Sequence, residues 1–367
     1  MNKIINYLKK FDWVLFSAVF LLICFGLIEI YSIALSQDDL SLANSKKQIV
    51  FIVIGILLLF LLSFIDYHNL YSLGNLIYAL GAILLLAVLF FGENIRGTRG
   101  WFDFGGFNFQ PVELVKIILI IFLARYFSKV SIKLNPFKHL VFSGVGTLLL
   151  IFLVLRQPDF GSALILFMVW ASMVILVGFK KKYLLIIGLM LIFVFSSGWV
   201  FFFKDYQKQR IITFLNPSFD PLNQGYNITQ AIIAVGAGGI TGRGVGFGSQ
   251  TQLKFLPEAQ NDFIFAVIAE ELGFLGVTLV IFFFSVFFYR MLISLKKINN
   301  DFGIFFILGA MALIFIEMFI NIGMNIGLLP VVGISLPFLS YGGSAIISTL
   351  MLVGIVESII IRSKLKY

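Results

Sequence analysis

Long apolar runs alternate with short polar segments along almost the whole chain. A helix needs about 20 mostly apolar residues to cross the hydrocarbon core of a bilayer. The pattern therefore predicts an all-α polytopic membrane protein, a single integral-membrane domain over residues 1–367. About ten transmembrane helices are expected, at residues 12–35, 49–65, 70–91, 111–127, 139–155, 160–179, 183–203, 263–289, 303–328 and 343–361. The one long segment outside them, about 204–262, lies between the seventh and eighth helices.

The amino-acid composition excludes a soluble domain and a disordered chain. The chain is 60% hydrophobic and 12% charged, whereas a soluble domain has about 45–50% apolar and about 25% charged residues. Disorder requires low hydrophobicity, so a disordered chain is excluded as well. One cysteine and two histidines rule out a disulfide scaffold and a zinc site of the HExxH type.

The distribution of basic residues predicts the orientation. With both termini in the cytoplasm, the segments on that side hold 16 of the 27 Lys and Arg residues, against five in the short segments on the other side. Because Lys and Arg accumulate in cytoplasmic loops, both termini are predicted to be cytoplasmic. The long loop, about 204–262, is then extracytoplasmic, and most of the carboxylates outside the helices lie on its side.

Two outer segments hold charges at helix starts. In RGWFDFGGFNFQPVELVK, Pro111 opens a helix, and Glu113 and Lys116 follow at the i, i+3 spacing of an ion pair. They are either a structural pair or a cation placed for an anionic lipid headgroup. In RQPDFGS, Asp159 is either a helix cap or a ligand.

The long loop contains the segment GAGGITGRGVGFG, with seven glycines in thirteen residues. Its backbone amides are either a phosphate cradle or part of a flexible turn. It ends in FLPEAQNDFIFAVIAEELG, where Asp262 lies at the predicted water–lipid boundary. A carboxylate with apolar neighbours is poorly solvated and accepts protons well, so Asp262 is either a general base or an N-cap. Glu258 is a second acid or a plain loop charge, and Glu270 and Glu271 are expected to pair with another helix.

The last outer segment, GLLPVVGISLPFLSYGGS, carries no charge and is broken by Pro330, Pro337 and the pair Gly342–Gly343. Irregular backbone at membrane depth is tolerated only where protein or a water-filled cavity covers it. This segment is therefore predicted to be packed and re-entrant, lining a site.

These segments, in this order, resemble the SEDS family of polytopic peptidoglycan glycosyltransferases over nearly the whole chain. The resemblance implies polymerisation of lipid II on the outer face of the cytoplasmic membrane, with β-1,4 bonds formed and undecaprenyl pyrophosphate released. It also implies a class B penicillin-binding protein as partner and no nucleic acid. The segment QKQRIITFLNP favours the elongation branch of the family over the division branch.

The resemblance also implies roles for particular residues. Asp262 matches the family's essential aspartate, a general base. The remaining matches are candidate substrate-binding positions: Arg99, Glu113, Lys116, Asp159, Arg210, Glu258, Ser340 and Tyr341. The chain departs from the family at Gly100, where a second basic residue is common, and at Gln260–Asn261, where His-Thr is common. No cofactor is certain, although outer carboxylates leave room for Mg²⁺ or Mn²⁺ bound with the pyrophosphate.

Two rival functions remain. A lipid II flippase needs a polar path through the membrane, and a scaffold would only anchor the transpeptidase. Few charges lie inside the predicted helices, and most polar groups cluster at the outer face. This asymmetry favours chemistry at the surface.

Overall fold

The fold is a helical bundle with one very small sheet. A computed structural model describes residues 7–35, 39–95, 97–105, 107–130, 134–197, 205–216, 219–220 and 224–365. Its helices are α1 Trp13–Leu35, α2 Asp39–Phe64, α3 Tyr67–Phe91, α4 Pro111–Lys129, α5 Pro136–Leu155, α6 Phe160–Val177, α7 Lys181–Ser197, α8 Asp205–Leu215, α9 Gln224–Ala237, α10 Ser249–Gln252, α11 Ile264–Leu295, α12 Asp301–Asn325 and α13 Gly343–Leu365. Between α3 and α4, strands β1 Glu93–Ile95, β2 Thr98–Asp103 and β3 Asn108–Phe109 form an antiparallel sheet in that order.

The prediction of a polytopic membrane protein is confirmed. Within the described residues, eight helices are long and apolar enough to cross a membrane, namely α1, α2, α3, α5, α6, α11, α12 and α13. The other two predicted spans coincide with α4 and α7, which have 19 and 17 residues. The total of ten spans stays a prediction. Within the described part of segment 204–262 the chain forms α8, α9 and α10.

Helix α13 lies at the centre of the bundle and packs along α2. Their backbones meet at Gly354, where a Cβ would lie 2.6 Å from the carbonyl oxygen of Leu59. Helix α11 packs against α1, and α12 packs against α4 and α6. The outer surfaces of several helices carry exposed large apolar side chains, as expected for contact with lipid.

The first and last described residues lie at one end of the bundle, which we call the terminal end. Lys10 and Lys364 donate through Nζ to each other's backbone carbonyl oxygens, at 2.6 and 2.8 Å. The Arg290 guanidinium donates to the Asp12 carboxylate, with Nη2 at 2.6 Å from Oδ2. These contacts join the start of α1 to α11 and α13. The opposite end, where α11 begins, is called the Asp262 end.

Helix α11 is broken at Gly273, whose φ of 65° and ψ of −162° are not helical. Such a break leaves backbone donors and acceptors without helical partners. The glycine-rich segment 239–244 supplies them through four hydrogen bonds, from Phe274 N–H to Gly239 O (2.9 Å), Leu275 N–H to Ile240 O (3.1 Å), Arg243 N–H to Glu270 O (3.0 Å) and Gly244 N–H to Glu271 O (2.9 Å). The amides of Arg243 and Gly244 are therefore occupied by α11, which favours the turn interpretation of this segment over the phosphate cradle.

A candidate acid site at the Asp262 end

Asp262 is held by its backbone. It is half-buried and lies two residues before α11 begins. Its carbonyl oxygen accepts hydrogen bonds from Asn321 Nδ2 at 3.0 Å and from Asn325 Nδ2 at 2.9 Å. Both asparagines are fully buried on α12, so this helix fixes the position of Asp262.

Asn325 also makes a hydrogen bond to the first turn of α11. Its Oδ1 accepts the N–H of Ala266 at 3.1 Å, while the N-cap residue, Phe263, makes no side-chain cap bond. One capping group of α11 thus comes from another helix, and the choice between an N-cap and a functional acid for Asp262 stays a prediction. Neither Asn321 nor Asn325 was among the expected site residues. Their signal was two amides at i, i+4 in an apolar helix, a costly feature inside a membrane.

The re-entrant segment between α12 and α13 covers the other side of residues 260–262. Ser340 Oγ donates to the carbonyl oxygen of Asn261 at 2.6 Å and accepts the Leu336 N–H at 2.8 Å. Tyr341 N–H donates to Gln260 O at 2.8 Å. The predicted packing is confirmed for the second part of this segment, where Ile334, Leu336, Phe338 and Leu339 are buried, whereas Leu328 in its first part is exposed.

Gly333, in the same segment, lies beside the carboxylate of Asp262. Its φ is +75°, and a Cβ there would be 3.6 Å from Asp262 Oδ2. A glycine at this position combines a left-handed backbone with an unobstructed approach to the acid.

Lys116 forms a buried triad with two carboxylates. Its Nζ lies 2.8 Å from Glu113 Oε1 and 2.7 Å from Glu317 Oε1, and the side chain is 4% exposed. The pairing expected for Glu113 and Lys116 is found, and Glu317 of α12 is an additional partner. A buried cation with two hydrogen-bonded carboxylates is satisfied, whereas removing one member leaves an uncompensated charge.

The triad and Asp262 both lie next to the segment between α12 and α13. Two small adjacent cavities lie beside the triad; Glu113 and Glu317 line both, and Lys116 lines one. Ser340 lines the other cavity and also bonds to Asn261, next to Asp262. The buried triad and a half-buried acid thus lie on either side of one re-entrant segment.

Asp159 is the cap of α6. Its carboxylate accepts the N–H and Oγ–H of Ser162 at 2.9 and 2.7 Å, and Gln110 Nε2 donates to it at 3.1 Å. Gln110 is the residue that precedes Pro111 at the start of α4. Asp159 therefore connects the starts of α6 and α4, as the capping interpretation expects, and a ligand role stays a prediction.

Arg99 and Glu258 lie at the surface. The Arg99 guanidinium donates to the carbonyl oxygens of Gly92 and Phe90, both at 3.1 Å, at the end of α3. Glu258 accepts from Asn261 Nδ2 at 2.6 Å, one residue from Asp262. Arg210 belongs to α8, but its side chain lies outside the described residues.

Among the residues that the structure describes, no three or more His, Cys, Asp or Glu side chains come together as metal ligands. Mg²⁺ is commonly bound by one or two carboxylates together with substrate phosphates. A divalent cation at this end would therefore need oxygens from the substrate.

The fold and site define a polytopic membrane protein with a clamped acid at one end of the bundle. The chain belongs to the FtsW/RodA/SpoVE family of cell cycle proteins, whose sequence profile matches residues 12–365.

Similar proteins cover most of the chain. Stage V sporulation protein E of Bacillus subtilis is 35% identical over 95% of this chain and 96% of its own length. Peptidoglycan glycosyltransferase MrdB of Escherichia coli K12 is 38% identical over 77% of this chain and 76% of its own. Among solved structures, a chain studied for the coordination of polymerization and crosslinking by a peptidoglycan synthase complex has a TM-score of 0.81 at 29% identity. That match covers 95% of this chain and 97% of the other.

Proposed function

We propose that this protein is a peptidoglycan glycosyltransferase that polymerises lipid II into glycan strands. The observation that carries the proposal is the clamp on Asp262, which fixes the acid by its backbone between α12 and the re-entrant segment. Supported in this way, the carboxylate is positioned for acid–base chemistry. The relative named as a peptidoglycan glycosyltransferase supports the choice of reaction.

In the proposed reaction, Asp262 is the general base. It accepts the proton of a sugar 4-hydroxyl of the incoming lipid II while that oxygen bonds to the anomeric carbon of the growing strand. The bond from the anomeric carbon to the pyrophosphate oxygen breaks, undecaprenyl pyrophosphate leaves, and a β-1,4 bond forms with inversion. A positioned base contributes about 10²–10⁴ in rate.

The leaving pyrophosphate needs neutralisation of its negative charge more than it needs an acid. We assign this task to Arg99, Lys116 and Arg210, with Glu113, Asp159, Glu258, Ser340 and Tyr341 shaping the substrate site. The proposed route from Lys116 to the pyrophosphate is the small cavity that it lines together with Glu113 and Glu317. Mg²⁺ or Mn²⁺ is proposed only as a component of the pyrophosphate complex.

The protein is a multi-pass membrane protein, and the proposed site faces outward from the cytoplasmic membrane. Both termini would then lie in the cytoplasm, in agreement with the distribution of Lys and Arg. We assign it to the RodA-like elongation branch, with the FtsW-like division branch as the alternative. Its proposed partner is a class B penicillin-binding protein, and the similarity to a chain of a peptidoglycan synthase complex supports this pairing.

The test uses the full chain purified with a class B transpeptidase and supplied with labelled lipid II. Glycan products are separated on a gel for the wild type, for Asp262→Asn and for Asp103→Asn, an exposed acid at the same end. We expect a ladder from the wild type and from Asp103→Asn, and none from Asp262→Asn with its partner still bound. A ladder from all three would remove the base assignment and make Glu258 the next acid to test. No ladder from any of them, with substrate and partner intact, would favour a flippase or a scaffold.

A further inference from the structure

A pair of buried carboxyls lies outside the site described above. Glu29 of α1 is 0% exposed, and within the described residues no hydrogen-bond donor reaches either of its carboxyl oxygens. Its acidic neighbour is the carboxyl of Glu271 on α11, which is also 0% exposed and accepts a hydrogen bond from Ser32, one turn along α1 from Glu29.

Hydrogen-bond donors are distributed unequally between the two carboxyls. Glu271 accepts from Ser32 Oγ at 2.8 and 2.6 Å, from the Gly246 N–H at 3.1 Å and from Gln252 Nε2 at 3.3 Å. Glu29 accepts from none. Because an ionised carboxylate is stabilised by donors, the negative charge belongs on Glu271 and any shared proton belongs on Glu29.

Two neighbouring ionised carboxylates inside an apolar bundle would repel each other, and that of Glu29 would lack both water and hydrogen-bond donors. One positive charge removes this conflict. A metal ion is a poor fit, because hard cations take about six or more oxygen ligands, and the described residues contain no group of three acidic or other metal-ligating side chains. A proton needs only the two carboxyls.

We propose that Glu29 carries a proton at neutral pH and donates it to the carboxylate of Glu271, so that the two side chains form a buried proton-binding site between α1 and α11. The site lies two residues before the break at Gly273. Through Glu271 it also connects to Gly246 and Gln252, so the proton joins α1, α11 and the loop that fills the break. Loss of the proton would replace a hydrogen bond with repulsion between two helices.

Infrared spectra of the purified full chain at neutral pH test the assignment. The difference between the wild type and Glu29→Gln is expected to contain the C=O stretch of one protonated carboxylic acid per chain. Glu93→Gln, an exposed glutamate, is the control and should leave that band unchanged. An equal band in the wild type and Glu29→Gln would mean that Glu29 is ionised and would overturn the proposal. So would a band that disappears in Glu271→Gln but persists in Glu29→Gln.

Thermal unfolding provides a second measurement. A carboxyl that is protonated in the folded chain and ionised in the unfolded chain makes stability decline as pH rises. The melting temperature of the wild type should therefore fall more steeply towards alkaline pH than that of Glu29→Gln. A melting temperature that depends on added Na⁺ or K⁺ in the wild type, but not in Glu29→Gln, would identify a metal cation and overturn the proposal. If Glu29→Gln does not fold, Ser32→Ala replaces it. Removal of that donor to Glu271 should shift the carboxylic-acid band without abolishing it, and an unshifted band would contradict the proposal.

Discussion

Asn325 holds Asp262 from a neighbouring helix, with its Nδ2 2.9 Å from the Asp262 carbonyl oxygen. The same side chain accepts the Ala266 N–H through Oδ1. One amide thus fixes both Asp262 and the first turn of α11. The position of the acid relative to a substrate consequently depends on a residue that need not contact the substrate.

Substitution of Asn325 by Ala should reduce the polymerisation rate by roughly 10–100-fold, because small displacements of a catalytic group are costly. Glycan synthesis from labelled lipid II is the measurement. Asn69→Ala, an exposed asparagine at the terminal end, is the control. Unchanged activity in a folded Asn325→Ala protein would show that the clamp is not needed to position Asp262.

Replacement of Lys116 by Met should reduce the free energy of unfolding by about 3–5 kcal/mol, because Glu113 and Glu317 would be left buried without their cation. Denaturant unfolding of the purified chain measures this loss. The triple variant with Glu113→Gln and Glu317→Gln should recover much of the stability, since no buried charge then lacks a partner. Equal losses in the single and triple variants would argue against a coupled triad.

Lys116→Ala, measured on the fraction of protein that remains folded, compares a role in binding with a role in structure. If Lys116 neutralises the pyrophosphate, this variant should impair the use of lipid II more than the binding of an uncharged lipid analogue. Kinetics with the first ligand and equilibrium binding of the second make the comparison. Equal impairment of both would indicate a purely structural role.

Gly242→Ala should be strongly destabilising. The glycine has a φ of +79°, and a Cβ there would lie 2.2 Å from the carbonyl oxygen of Glu271. Gly236→Ala is the matched control, because an added Cβ meets nothing within 4 Å at that position. A strained backbone alone costs about 1–3 kcal/mol, so the melting temperature of Gly242→Ala should be clearly the lower of the two. Similar values would mean that the loop adapts at little cost.

Asp66, in the turn between α2 and α3, should make the stability of the folded chain depend on pH in the acid range. Burial raises the pKa of its carboxyl, but hydrogen bonds from His68 and the nearby Arg362 guanidinium outweigh this effect, and the net pKa is lowered. A lowered pKa stabilises the folded chain above the pKa of the unfolded state, and this contribution is lost as pH falls through the folded value. Melting curves of the wild type and Asp66→Asn should therefore converge at acid pH. A constant difference between them at all pH values would contradict this account.

The sequence was sufficient for features that depend on local spacing. Apolar runs located the helices, and the i, i+3 spacing of Glu113 and Lys116 predicted their pairing. It was not sufficient for partners that are distant in the chain. Glu317 is 201 residues from Lys116, and no periodicity joins them. The break at Gly273 was missed for a related reason, since the donors and acceptors that make it tolerable come from residues 239–244.

The break at Gly273 divides α11 into a short and a long helical part. The short part, before Gly273, begins beside Asp262 and is bonded to α12 and to the loop. The longer part, up to Leu295, carries the exposed apolar side chains Phe274, Leu275, Leu279, Ile281 and Phe282. When bilayer thickness changes, helices adjust by tilting. Because Gly273 is not helical, a tilt of the longer, lipid-facing part need not turn the short part, whose bonds to α12 and to the loop keep the acid in place.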